Sequence, residues 1–194
     1  MNMKLLKLIA ITFTICLPVV AQAETYRVDL IVYLDKSAAS ESGRRPIRPS
    51  TNRAIELNDT AALAAAGITL LPEEQFALND AWLHLKNSKR YLPVLRLAWT
   101  QKDPPAEKGP SLHLLWGDTL SGGDADGLAP IEGTVSLLAS HYLHLDAHLL
   151  YTQAIEGGRV SYRLKENRLM RRDELHYLDS PKLGILAKVT KAGS

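Results

Sequence analysis

His141, His144 and His148 fall within eight residues, with Asp146 between the last two. Imidazoles and a carboxylate at this density can ligate a metal or relay protons near neutral pH. The flanking leucines make the segment strand-like. A period of two sets His144, Asp146 and His148 on one face, opposite Leu143, Leu145, Ala147 and Leu149, and leaves His141 on the leucine side. Alternate strand residues stand about 7 Å apart, so His144 and His148 are too widely separated to chelate one ion without a bulge. The favoured reading is a polar sheet face on which His144 or His176 is hydrogen-bonded to its neighbours. The alternatives are a metal-dependent hydrolase built on His144, Asp146, His148 and His176, and an envelope assembly or chaperone-like factor that holds other chains at exposed sheet edges.

Other catalytic chemistry finds little support. No Gly-x-Ser-x-Gly, Ser-x-x-Lys or His-Glu-x-x-His pattern occurs, nor any glycine-rich phosphate loop or dinucleotide fingerprint. Asp124, Asp126 and Gly127 hold part of a calcium-loop pattern whose other ligand positions are absent, so residues 117–127 read as an acidic turn. Binding chemistry is better supplied. Arg163, Arg168, Arg171 and Arg172 can each grip a carboxylate bidentately. Tyr142, Tyr162, Tyr177, Trp99 and Trp116 offer flat faces on which a sugar ring packs, although Trp99 shares a strand face with Leu95 and Leu97 and belongs with the core. The sequence calls for no cofactor and no catalytic residue.

These side chains must be positioned by strands. Residues 26–34 alternate, with Val28, Leu30, Val32 and Leu34 on one face. Residues 36–58 lack a period and read as a long surface loop. Asn58-Asp59-Thr60 caps a short helix over 61–66 that Gly67 closes, and Pro72-Glu73-Glu74 opens a second helix whose Leu78, Trp82 and Leu85 form an apolar stripe beside Ala81. The spacing then predicts strands at 92–101 and 111–116, joined as a hairpin across Asp103-Pro104-Pro105. Residues 131–151 are too long for one flat strand and should divide or bend near 139–141. Strands at 160–170 and 183–189, joined by a turn over 173–181, complete the set. The fold class is α+β, a mainly antiparallel sheet with two helices from the N-terminal half packed on it.

The N-terminus stands apart. Lys4 and Lys7 precede an apolar run over 8–20, and Ala21-Gln22-Ala23 offers a signal-peptidase site, so residues 1–23 read as a removed export signal and 24–194 as one domain in the periplasm. The run is too short to span a bilayer, and stable membrane insertion is not expected. Cys16, the only cysteine, lies in that signal, which excludes thiol chemistry from the remainder. With Lys4 and Lys7 gone, 21 bases balance 21 acids, too little positive charge for nucleic-acid binding. The charge is nonetheless segregated. Residues 103–156 carry eight carboxylates against one base, and residues 159–191 carry nine bases against four acids.

Several runs, taken together and in order, resemble the CsiV family. They are Ile131-Glu132-Gly133-Thr134-Val135-Ser136-Leu137, Tyr142-Leu143-His144-Leu145-Asp146 and Glu174-Leu175-His176-Tyr177-Leu178-Asp179-Ser180-Pro181-Lys182-Leu183-Gly184-Ile185-Leu186, with the strands at 26–32 and 91–101. The resemblance leaves 36–58 and 117–127 unmatched. It departs from the family pattern at His141, where the family favours Arg, and at Ser180, where His is common. It implies an exported, non-catalytic protein that binds peptidoglycan and supports cell-wall assembly, in association with a class A penicillin-binding synthase and its lipoprotein activator. Sugar faces, amides and stem-peptide carboxylates match aromatic side chains, backbone groups and arginines respectively. The candidate ligand-binding set is therefore Tyr142, His144, Asp146, Arg168, Arg171, Arg172, His176 and Tyr177.

Overall fold

The structure, a computed structural model, describes residues 24–37, 49–117, 129–156 and 158–193. The predicted export signal and nearly all of the 117–127 turn lie outside the described residues, as does much of the 36–58 loop. Among the described residues ten strands, β1 (Thr25–Asp35), β2 (Ala54–Ile55), β3 (Ile68–Leu70), β4 (Tyr91–Lys102), β5 (Ser111–Trp116), β6 (Ile131–Ala139), β7 (Leu143–Ile155), β8 (Gly158–Met170), β9 (Leu175–Asp179) and β10 (Leu183–Lys191), are accompanied by two helices, α1 (Thr60–Ala65) and α2 (Asn79–Lys86). The class is α+β and all pairing is antiparallel except β2 with β5. The strands divide into two five-stranded sheets, ordered β3-β4-β1-β10-β9 (sheet A) and β2-β5-β6-β7-β8 (sheet B).

Alternation explains why the sheets pack together. Val28, Leu30, Val32 and Leu34 of β1 join Ile185, Ala187 and Val189 of β10 in a single buried cluster with Leu145, Ala147 and Leu149 of β7 and Val135 and Leu137 of β6. Sheet A is also covered on its other side. There Ile31 and Leu186 meet Leu78, Ala81, Trp82 and Leu85, which is why the alternation of β1 gives way to continuous hydrophobic sequence over residues 30–34. Helix α1, capped by the Asp59 carboxylate on the Ala62 N–H (2.9 Å) and closed by Gly67 at φ +67°, adds Leu63 to the main cluster beside β3. Neither helix covers the outer face of sheet B, where Asp146 and Asn167 are exposed while His113 and Ser136 are buried among their neighbours.

The structure corrects five of the sequence expectations. The second helix begins at Asn79 rather than at Pro72, because Glu73–Gln75 makes only a 3-10 turn. Phe76 is extended, and the Ala77 N–H donates to the buried Asp29 carboxylate at 2.8 Å, a tertiary bond that competes with the helical one. Strands β4 and β5 do not form a hairpin. β1 and β3 occupy both edges of β4, and the Pro104-Pro105 segment carries the chain to the other sheet, where the Pro105 carbonyl accepts from Ala139 N–H at 2.9 Å. The turn predicted over 173–181 contains β9, whose Leu175, Tyr177 and Leu178 break the two-residue period. Part of the 36–58 loop is strand, since Ala54 and Ile55 pair with Ser111 and Leu112. His141 does not point inward with the leucines. The 131–151 segment divides as expected, but strand structure stops at Ala139, and His141 lies exposed in the turn where Ser140 N–H donates to the Tyr142 carbonyl (3.1 Å).

Candidate functional site

The outer face of sheet B is assembled by register. Ser111 of β5 neighbours Ser136 of β6 through the pairing that sets Leu112 opposite Val135, and Ser136 in turn faces Asp146, which faces Asn167 of β8. One step along, His113 faces Thr134, Thr134 faces His148, and His148 faces Lys165. Directly opposed side chains lie about 5 Å apart, so these rows are continuous strips of hydroxyl, carboxylate, amide and imidazole. The 106–109 loop and Arg53 rise beside them and close a groove of about 730 Å³ that includes His144, Asp146, Asn167, Thr134 and Ser136.

Within the groove His144 Nδ1 lies 2.7 Å from Asn167 Oδ1. An amide oxygen only accepts, so the ring donates through Nδ1 and keeps Nε2 for another partner. Beyond it, buried His113 donates through Nδ1 to Glu56 at 2.6 Å, with Glu132 at 3.8 Å from Nε2. His148 is held below the ordinary histidine value, chiefly by burial and then by Arg163 and Lys165 of β8, with Asp146 opposing. Its folded form therefore prefers the neutral ring. The stability this confers is complete above 6.5, is lost as the pH falls through 6.5, and levels off below the folded value. Urea denaturation at stepped pH should show that slope, and His148→Gln should flatten it; equal slopes in the two proteins would refute the assignment.

A second concavity, of about 640 Å³, opens on the other side of the 140–142 turn, and Ser140 borders both. Tyr142, Arg171 and Arg172 line it together with Glu24, Tyr26 and the apolar side chains of Leu143 and Met170. Glu24 accepts from Lys191 Nζ at 2.8 Å and from the Tyr26 hydroxyl. These bonds, that from Lys191 foremost, hold the carboxylate below its usual value, and the same carboxylate raises the Tyr26 phenol.

The candidate set is thus divided. His144 and Asp146 line the groove, and Tyr142, Arg171 and Arg172 line the cleft. His176 lines neither, but its Nε2 accepts the Arg171 backbone N–H at 3.0 Å and so holds the cleft's corner. Arg168 projects from the inner side of β8, opposite Leu145, and pairs with Glu166 at 2.6 Å. Tyr177 is exposed on the helix-bearing side of sheet A, opposite Leu186. His144, Asp146, His148 and His176 do not converge, since His176 belongs to the other sheet and the cross-strand neighbour of His148 is the cation Lys165. Among the described residues no group of three His, Cys, Asp or Glu side chains is placed to hold a metal. Arg53, Lys108, Ser111, Thr134, Ser136 and Asn167 are groove residues that motif reading missed. The period of two marks Thr134 and Ser136 as one face of a strand; only the register brings them beside Asp146.

The family model described as "Peptidoglycan-binding protein, CsiV" matches residues 4–192, nearly the whole chain. No curated protein and no solved structure matches it.

Proposed function

The chain belongs to the CsiV family of peptidoglycan-binding proteins, and from that premise we propose that it binds peptidoglycan in the periplasm and supports cell-wall synthesis by binding rather than by turnover. The observation that carries this reading is the open face of sheet B. Alternating hydroxyl, carboxylate and amide groups across four strands form a groove suited to the hydroxyls and amides of a glycan. Weak contact with each repeat suffices, because a polymer presents many copies. Lys4, Lys7, the apolar run at 8–20 and Ala21-Gln22-Ala23 support export and cleavage before Glu24. The partners proposed, from the resemblance of the sequence runs, are a class A penicillin-binding synthase and its lipoprotein activator.

Co-sedimentation of the purified protein with sacculi tests the reading. The protein is expected to pellet at low salt, and Asp146→Ala with Asn167→Ala should weaken binding about tenfold, the loss of one or two hydrogen bonds to a charged or polar group. Both residues are exposed on the outer face of their strands, so the fold should tolerate the change. Protein that stays wholly in the supernatant refutes the proposal.

A further inference from the structure

We propose that the cleft beside the 140–142 turn is a carboxylate-recognition subsite, and that it takes the stem peptide of the same peptidoglycan unit whose sugars occupy the adjoining groove. This deepens the peptidoglycan reading and rests on it. The charge inventory of the cleft carries the inference. Its one acid, Glu24, is committed to Lys191 and Tyr26. Its two arginines are largely uncommitted. The nearest carboxylate to Arg171, that of Glu174, stands at 4.0 Å, beyond hydrogen-bond reach, and Arg172 forms no ion pair within 4 Å among the described residues, acting on Glu24 only through space. Two guanidiniums with idle donors are matched by a peptide carboxylate, which accepts their paired N–H groups bidentately.

The geometry around them is built rather than loose. Arg171 and Arg172 sit at the corner between β8 and β9. There Asp173 adopts φ +66°, its N–H donates to the Val189 carbonyl at 2.8 Å, and the His176 ring accepts from Arg171. Buried Leu143 and Met170 provide an apolar floor, and Tyr142, 64% exposed, stands at the rim. A peptide's aliphatic stem matches the floor and its carboxylate the arginines. The groove has the opposite character. Its bases Arg53 and Lys108 are offset by Glu107 and Asp146, a balance that suits uncharged sugar. Because Ser140 borders both concavities, one glycan unit bearing its peptide can occupy the two at once.

The test compares soluble glycan strands that carry stem peptides with the same strands stripped of peptide by an amidase, binding being read by fluorescence anisotropy. The wild-type protein should bind stripped strands about tenfold more weakly, and Arg171→Gln with Arg172→Gln should bind both strands at that weaker level. Arg163→Gln, at an exposed site lining neither concavity, should keep the discrimination. If the double variant unfolds by circular dichroism, Arg172→Gln alone replaces it. Equal wild-type affinity for the two strands overturns the proposal while leaving the peptidoglycan reading intact, and so does a folded variant that still discriminates. Failure of the wild-type protein to bind either strand overturns both.

Discussion

Alanine at Gly133 is expected to lower the melting temperature by about 10 °C or to prevent folding. Gly133 lies in β6, between Leu114 of β5 and Leu149 of β7. A Cβ built there would stand 2.1 Å from the His148 carbonyl oxygen and 2.7 Å from the Leu149 Cα. Both are backbone atoms inside a hydrogen-bonded ladder, so no side-chain rotation relieves the clash and β7 must move. Overpacking of this kind costs about 3 kcal/mol or more, and in a chain of this size each kcal/mol lowers Tm by about 2–4 °C. Because β7 also carries His144 and Asp146, the displacement should reach the groove and weaken sacculus binding in whatever protein remains folded. A thermal melt followed by circular dichroism decides it; a Tm within about 2 °C of wild type would show that the strands part at little cost.

Trp99→Ala is expected to cost about 3–5 kcal/mol. Trp99 is fully buried, flanked in sheet A by Val28 of β1 and Leu70 of β3 and packed into the inter-sheet cluster. Truncation leaves a cavity between two sheets whose strands are tied by hydrogen bonds and cannot collapse to fill it. Trp99→Phe keeps most of the packing and removes the long Nε1 contact to Gln101 Oε1 (3.5 Å), so it should cost less, about 1–2 kcal/mol. Urea titration should show a lower midpoint with an unchanged slope in both cases. Trp99 belongs to the sheet that does not carry the groove, so folded Trp99→Phe should retain wild-type binding to sacculi. Loss of that binding, or an alanine variant as stable as wild type, would contradict this placement of the core.

Where one physical signal acts within a short stretch of chain, it was legible in the residues. The period of two at 143–149 separates His144, Asp146 and His148 from the leucines before any fold is known, and the structure keeps that division. The Asp59 cap and the Gly67 stop define α1 in the same local way. Where the chain's partners lie far along the sequence, local signals mislead. A proline-rich break between two strands ordinarily reads as a hairpin, yet both edges of β4 are taken by β1 and β3. Pro72-Glu73-Glu74 has the composition of a helix start, yet Asp29, 48 residues earlier, claims the Ala77 N–H.

The candidate site divides along the same line. Sequence alone determined that His144, Asp146 and His148 share the face opposite the leucines and that the last third of the chain is basic, because side-chain alternation and composition are properties of the chain itself. It also carried the CsiV resemblance. Only the tertiary structure decided that Ser111, Ser136, Asp146 and Asn167 form one row, and that Arg168 turns inward to Glu166 while Arg171 and Arg172 face a cleft. Register between strands is set by the packing of two sheets on each other, an energy summed over residues as distant as Tyr26 and Lys191, and no short window of sequence contains it.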